Sequence, residues 1–112
     1  MAKFLAVYTG SPSEGPPPDM DPQKMAAGMA AWTKWMTDHA ASIVEGGGPL
    51  GKTKRVSKTG VSDVRNNLAA FVIVEAASQE AAAKMFEGHP HFTIFPGDGV
   101  EIMPVMAIPG QA

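Results

Sequence analysis

The sequence predicts an α+β domain in which the segments follow one another as strand, helix, strand, strand, helix, strand. Short runs rich in apolar residues indicate the strands, and helical spacing of apolar residues with capping residues indicates the helices. Gly and Pro are concentrated between these segments, seven of them within 10–22 and five within 46–51. This order is that of a ferredoxin-like βαββαβ unit, with a four-stranded antiparallel sheet and two helices on one face. The segments are strands at 3–9, 52–58, 68–75 and 100–107 and helices at 22–45 and 79–87.

Capping residues and periodicity define the two helices. Asp21 is placed to cap the first helix, and Pro22 occupies its first position, where a missing N–H costs nothing. We expect the glycine run Gly46-Gly47-Gly48 to end that helix. Ser78 is placed to cap the second helix. The first helix carries an apolar stripe that predicts its core face: Met25, Met29, Trp32, Met36, Ala40 and Ile43.

The order of strands in the sheet follows from connection rules and charge. Right-handed crossovers place the first and third strands in the centre, and the second and fourth at the edges. The second strand, Lys52–Lys58 (KTKRVSK), is rich in cations, which discourage unwanted pairing at an edge. Pro104 removes a ladder donor from the last strand, which also suits an edge.

Length, charge and cysteine count limit the possible classes of protein. The 112 residues suit one domain over 1–112, with a Pro/Gly-rich loop at 10–21 and a tail at 108–112. The absence of cysteine excludes disulfides and thiolate chemistry. A net charge of −2 argues against nucleic-acid binding. The longest apolar run, 68–74, is too short to span a membrane, and the run at 4–8 is too short for a signal peptide. We therefore expect a cytoplasmic protein.

Both faces of the predicted sheet are apolar. In the first strand Phe4 and Ala6 point to one side and Leu5 and Val7 to the other, and the third and last strands alternate in the same way. Two helices cover only one face, so the other face would expose a larger apolar patch than a soluble monomer tolerates. The sequence therefore predicts a homodimer formed through the sheet face.

The assembled segments resemble the YCII-related superfamily over nearly the whole chain. The resembling segments are KFLAVYT, AWTKWM, GGGPLG, FVIVEAASQEAAAKMFEGHPHF and GVEIMPVMAIPG. The resemblance implies the dimeric α+β barrel fold and, for a catalytic member, lyase, isomerase or oxygenase-type chemistry without a cofactor. Two family features are missing: the loop TGSPSEGPPPDM has no His, and residues 58–63 replace the Asp-Gly-Pro-Phe motif. The active-site residues of the family therefore do not carry over.

The segment Gly46–Thr53 matches the pattern G-x-x-x-x-G-K-[ST] of a phosphate-binding loop. A working loop of this kind follows a buried strand and opens a helix, whereas here a predicted helix precedes it and a polar strand follows. We interpret the segment as a helix stop and a turn.

Histidines are the candidates for chemistry. His39, His89 and His91 are the only side chains whose ordinary pKa lies near neutrality, and Asp98 is a carboxylate that could orient one of them. The His89/His91 pair on a Gly-His-Pro-His turn favours a structural or acid–base role over a metal site. No metal or other cofactor is expected.

Four further residues are candidates for contact with a ligand. Trp35 lies off the core stripe of the first helix and one turn from His39, whereas Trp32 lies on the stripe and is interpreted as packing. Tyr8, Asp63 and Arg65 lie near strand ends, where the mouth of a cavity would be.

Together these features predict a homodimer that binds a small organic molecule, aromatic or lactone-like, in an apolar cavity, with a His as acid or base in a catalytic version. The alternative is a non-catalytic ligand-binding or regulatory module associated with a sigma factor, as the resemblance also allows.

Overall fold

A computed structural model of the protein describes residues 1–10 and 21–110. Its main sheet has four antiparallel strands in the order β2-β5-β1-β6, and a separate hairpin joins β3 to β4. Helices α1, α2 and the short α3 complete the fold. The bounds are β1 Ala2–Thr9, α1 Pro22–Asp38, β2 Ile43–Pro49, β3 Thr53–Ser57, β4 Gly60–Val64, β5 Leu68–Ala76, α2 Gln79–Lys84, α3 Pro90–Thr93 and β6 Gly99–Pro104.

The predicted fold class is confirmed: the main sheet takes the ferredoxin-like order, with β1 and β5 in the centre. The predicted helix caps are also present. The Asp21 carboxylate accepts the backbone N–H of Lys24 at 2.7 Å, and the Ser78 hydroxyl accepts that of Ala81 at 3.1 Å. Most of the predicted loop at 10–21 and the last two residues of the tail lie outside the described residues.

The predicted place of the second strand in the main sheet was wrong. Residues 52–58 do contain a strand, β3, but it pairs with β4 in the hairpin and does not join the main sheet. The edge position next to β5 is taken by β2, Ile43–Pro49, which includes the glycine run expected to end the first helix. That helix ends at Asp38, and a 3₁₀ turn at Ala40–Ser42 leads into β2.

Gly47 explains how a glycine-rich segment becomes a strand. Its φ is +65°, and a Cβ at this position would lie 1.8 Å from the carbonyl oxygen of Phe71. Only glycine fits such a close approach between β2 and β5. The pairing shifts register twice here, between Ile43 and Glu45 and between Glu45 and Gly48. β2 therefore pairs with β5 through an irregular, bulged set of hydrogen bonds.

The core lies between the helices and one face of the sheet. Phe4, Ala6 and Tyr8 of β1 lie there against Trp35 of α1 and Phe86. Alternation along the strands places an apolar set on the opposite face, which neither α1 nor α2 covers. That set consists of Leu5, Val7, Phe71, Ile73 and Met103. Within the described residues, no helix is long and apolar enough to cross a membrane.

Candidate functional site

A cavity of about 470 Å³ lies between α1 and the strands β1, β2 and β5. Its size is that of sites for small organic ligands. The polar side chains at its wall come from Tyr8 and His91, and the other lining residues are apolar or glycine. The lining residues are Tyr8, Met25, Met29, Trp32, Met36, Gly46, Gly48, Pro49, Ala69, Ala70, Phe71, His91 and Phe95.

His89 lies behind the wall of this cavity and is fully buried. It caps α3: its Nδ1 accepts the backbone N–H of His91 at 2.9 Å. Rings surround it, with centroids 4.8 Å away for Trp35 and 6.0 Å for Phe86. Burial lowers the pKa of His89 to about 4, with further contributions from His91 and His39, so the ring is neutral at pH 7.

The contact at Nδ1 fixes the tautomer of His89. Because a neutral imidazole with an accepting Nδ1 carries its proton on Nε2, the Nε2–H donates to the hydroxyl oxygen of Tyr8, 3.2 Å away. Burial raises the pKa of Tyr8, so the phenol keeps its proton. The Tyr8 oxygen therefore accepts from His89 and retains an O–H of its own to donate.

The Tyr8 O–H has no acceptor among the described residues, and Tyr8, a side chain only 2% exposed, is one of the residues that line the cavity. Tyr8 reaches this place because β1 is a central strand and its side chain points toward the helices, where Trp32 packs on it with ring centroids 4.9 Å apart. The Tyr8 hydroxyl, oriented by the neutral ring of His89, is thus available as a hydrogen-bond donor to a ligand in the cavity.

His91 supplies the second polar group of the cavity. Its Nε2–H donates to the carbonyl oxygen of Thr9 at 2.7 Å, and in the neutral form of the ring Nδ1 is then an acceptor. Nδ1 has no hydrogen-bond partner among the described residues. Since every fully buried side-chain nitrogen or oxygen in that part of the chain has a partner, this Nδ1 is accessible. The rings of His91 and Tyr8 lie 5.2 Å apart.

Gly97 makes room for the His91 ring. A Cβ at Gly97 would lie 2.3 Å from Nε2 of His91, so any larger residue would push the ring away from Thr9. The backbone N–H of Gly97 also donates to the carbonyl oxygen of His91 at 2.9 Å. The orientation of His91 therefore depends on contacts between α3, the segment after it, and the end of β1.

Two of the other candidate residues lie next to this site without lining the cavity. His39 ends α1, where its Nδ1–H donates to the carbonyl oxygen of Trp35 at 2.9 Å and its ring packs at a tilt against Trp35, with centroids 4.6 Å apart. Trp35 itself is buried in the core, and its Nε1–H donates to the carbonyl oxygen of Met85 at 2.8 Å. Its off-stripe position thus reflects packing against Phe86.

The remaining three candidates lie away from the cavity. Asp98 is exposed beside β6, and its backbone N–H donates to the carbonyl oxygen of Thr9 at 2.9 Å. Asp63 is on the β3–β4 hairpin, paired with Lys54 at 2.6 Å, and Arg65 follows that hairpin as an exposed residue.

Sequence reasoning missed the residues of α1 that line the cavity. Met25, Met29, Trp32 and Met36 were interpreted as a core stripe. Trp32 and Met36 do pack against the core, but all four also line the cavity, and Met29 is 56% exposed. The apolar stripe was the only sequence signal for these lining residues, and a helical wheel cannot distinguish a stripe that faces a packed core from one that faces open space. The described residues contain no group of three or more His, Asp or Glu placed to hold a metal ion.

Comparison with solved structures gives one informative likeness. The chain is similar to 5-chloro-2-hydroxyhydroquinone dehydrochlorinase (TftG) from Burkholderia phenoliruptrix AC1100, solved in complex with 2,5-dihydroxybenzoquinone. The TM-score is 0.60 at 18% sequence identity, over 98% of this chain and 99% of the other. TftG is a dimeric α+β barrel, and the likeness supports an α+β fold with a four-stranded antiparallel sheet for this chain. Searches of protein-family models and of curated proteins find no match.

Proposed function

We propose that this protein binds a small hydroxylated aromatic or quinone-like compound in the cavity and transfers a proton on it without a cofactor. One observation carries the proposal: Tyr8 and His91 bring a hydrogen-bond donor and an accessible basic nitrogen to one apolar cavity. Aromatic and thioether side chains, such as Trp32, Phe95 and Met36, form the surroundings that a flat ligand prefers.

The chemistry open to this pair is deprotonation next to a carbonyl or of a ring hydroxyl. Nδ1 of His91 accepts the proton, and the electron pair of the broken C–H or O–H bond moves onto the ligand oxygen. The Tyr8 O–H donates to that oxygen and stabilises its developing charge, an effect that is strong in an apolar cavity. Return of the proton to a different atom completes an isomerisation, and loss of a leaving group completes an elimination.

The neutral state of His89 supports the role of Tyr8. A cationic His89 would not accept the His91 backbone N–H at Nδ1, and the α3 cap would be lost. As a neutral ring it donates to the Tyr8 oxygen and orients the hydroxyl. His89 is therefore a positioning residue, whereas Tyr8 and His91 contact the ligand.

The likeness to TftG, whose structure contains 2,5-dihydroxybenzoquinone, supports an aromatic or quinone-like ligand for this chain. The shared fold, together with the resembling segments, also supports membership of the YCII-related superfamily, which we propose as part of the same interpretation. A homodimer through the uncovered sheet face fits both proposals, because Leu5, Phe71 and Ile73 would otherwise face water. A cytoplasmic location stays a prediction.

Binding of 2,5-dihydroxybenzoquinone and of 1,2,4-trihydroxybenzene tests the proposal, measured by calorimetry on the full chain. We expect Tyr8→Phe and His91→Gln each to raise the dissociation constant about tenfold, the loss of one buried hydrogen bond to a ligand. His91→Gln is the informative variant, because its amide nitrogen can still donate to the Thr9 carbonyl while the basic Nδ1 is gone.

His91→Asn is the matched control at the same position. Its side-chain oxygen lies near the place of Nδ1, so it retains an acceptor for the ligand but cannot hold a proton. We expect His91→Asn to bind better than His91→Gln and to abolish the incorporation of solvent deuterium at a ring carbon of the ligand. Mass spectrometry measures this incorporation after incubation in D₂O and return to H₂O, which removes deuterium from the hydroxyl groups. Binding without exchange in the unsubstituted protein would favour the non-catalytic alternative. No binding of either compound would contradict the proposed ligand class.

A further inference from the structure

The β3–β4 hairpin stands apart from the body of the protein. Its strands pair with each other from Thr53↔Val64 to Ser57↔Gly60 and pack chiefly on each other. A lone two-stranded hairpin is marginally stable in water unless another surface packs on it. The hairpin nevertheless exposes apolar side chains: Val56 is 76% exposed and Val61, its direct cross-strand partner, is 66% exposed. Both project from one face, so they form a continuous apolar patch.

The charge of the hairpin is opposite to that of the rest of the chain. The hairpin with the residue on either side of it, 52–65, contains five Lys or Arg and one Asp, a net charge of +4. The other residues contain four Lys or Arg and ten Asp or Glu, a net charge of −6. The hairpin of one copy is therefore attracted by the body of another copy of this same chain.

A groove beside β6 complements the hairpin. It has a volume of about 270 Å³ and an apolar floor that includes Phe86, Val100 and Ile102. Phe92 lies at its wall and is 38% exposed. Its carboxylates come from the exposed residues Glu87 and Asp98. The groove thus combines apolar surface with negative charge, as the hairpin combines apolar surface with positive charge.

The topology brings the two features together in a sheet-face dimer. The hairpin leaves the sheet after β2, at the end of the sheet where β5 begins and Leu68 pairs with Thr9. The groove lies where β6 begins, and there Gly99 also pairs with Thr9. They therefore occupy the same end of the sheet at opposite edges, β2 and β6. A two-fold axis parallel to the strands places the β2 edge of one copy against the β6 edge of the other and keeps like ends together.

We propose that the β3–β4 hairpin is an arm that docks its Val56–Val61 patch in the β6 groove of a second copy. Cationic residues of the arm then approach Glu87 and Asp98 of that copy, and the exchange is reciprocal. This inference rests on the sheet-face dimer proposed above. It goes beyond that dimer because it pairs two surfaces outside the sheet face, the Val56–Val61 patch of one copy and the β6 groove of the other.

Disulfide trapping tests the arm directly, because the chain contains no cysteine of its own. Val61→Cys on the arm is mixed with Ala83→Cys, since Ala83 is an exposed residue that lines the groove. The mixture is oxidised at micromolar concentration. The mixed disulfide is identified by its intact mass. A matched control mixes Val61→Cys with Lys34→Cys, an exposed position on α1. We expect at least about tenfold more mixed disulfide with Ala83→Cys, because docking raises the local thiol concentration above that of free collision.

Charge reversal separates docking from chance proximity. Arg55→Glu with Lys58→Glu on the arm, or Glu87→Lys with Asp98→Lys in the groove, should each reduce trapping to the level of the control. A mixture of the reversed arm with the reversed groove should restore it. A dimer that persists in sedimentation while trapping stays at the control level would overturn the arm alone. A monomer at micromolar concentration would overturn the sheet-face dimer and with it the arm.

Discussion

Two neighbouring regions on the helix side of the sheet each contain a tryptophan and a histidine, yet only one of them is open. The packed cluster, formed by Trp35, Phe86 and His89, leaves no polar atom without a partner. In the cavity next to it, Trp32 borders open space and His91 keeps a free Nδ1. Tyr8 joins the two regions, since its ring contacts Trp32 of one and Phe86 of the other.

The two histidines are the same residue type and both are buried, but only His91 lines the cavity, so the open space beside a side chain decides which of them can contact a ligand. Full burial keeps His89 neutral and in a single tautomer. The ring of His91 is held at one nitrogen only. The packed cluster therefore acts as a rigid support that positions Tyr8, and Tyr8 is one of the polar residues that line the cavity.

The largest expected effect is the loss of the packed tryptophan. Trp35→Ala should lower the free energy of unfolding by about 3–5 kcal/mol, since it leaves a void in the core and frees the carbonyl of Met85. Trp32→Ala should cost about 1–2 kcal/mol, because that side chain already borders open space. Urea denaturation at one fixed protein concentration measures both. Equal losses would mean that the cavity is as tightly packed as the cluster.

The second prediction concerns the pH dependence of stability and tests His89, the histidine of the packed cluster. The ordinary pKa of His is about 6.5, and that of His89 in the folded protein is about 4. Between these values the unfolded chain binds a proton that the folded chain does not. The contribution of His89 is thus fully present above pH 6.5 and is lost as pH falls toward 4, by up to about 3 kcal/mol.

His89→Asn tests this pH dependence, because its side-chain oxygen can still accept the His91 N–H while the ring that titrates is gone. The variant should be less stable at pH 7 but should lose less stability on acidification. Carboxylates titrate in both proteins, so the difference between the two stability profiles isolates His89. Parallel profiles would contradict the assignment of His89 to the packed cluster.

The sequence was sufficient to predict the parts of the fold that depend on local pattern. β1 and β5 are short runs rich in apolar residues, and Asp21 and Ser78 cap their helices as expected. The position of β2 was not predictable in this way. Glycine has low strand propensity, and Gly46–Gly48 become strand only through pairing with β5, a contact made by residues far apart in sequence.

The site was only partly predictable for a similar reason. Tyr8 and His91 were candidates by residue type, and both line the cavity. The roles of Trp32 and Trp35 depend on the space around α1, because a stripe of apolar residues has the same periodicity whether it faces a core or a cavity. The free Nδ1 of His91 depends on Gly97 and Thr9, which no local pattern connects to it.

The smallest expected change in stability comes from filling the cavity at a glycine. A Cβ at Gly46 would meet Cε of Met36 at 3.6 Å, an ordinary contact, so Gly46→Val should fold and extend its methyl groups toward the cavity. The unfolding free energy should change by about 1 kcal/mol or less. Binding of 2,5-dihydroxybenzoquinone should weaken about tenfold, since the added methyl groups take the place of part of the ligand.

Gly51→Val is the matched control for this prediction. A Cβ there meets no atom within 4 Å, and Gly51 is not part of the cavity lining, so the same substitution should leave binding unchanged. Calorimetry on both variants measures their affinity for the compound and shows whether it binds in the cavity. If Gly46→Val bound the compound as well as Gly51→Val did, the ligand would lie outside the open space beside Trp32, and the chemical role assigned to the cavity would be wrong.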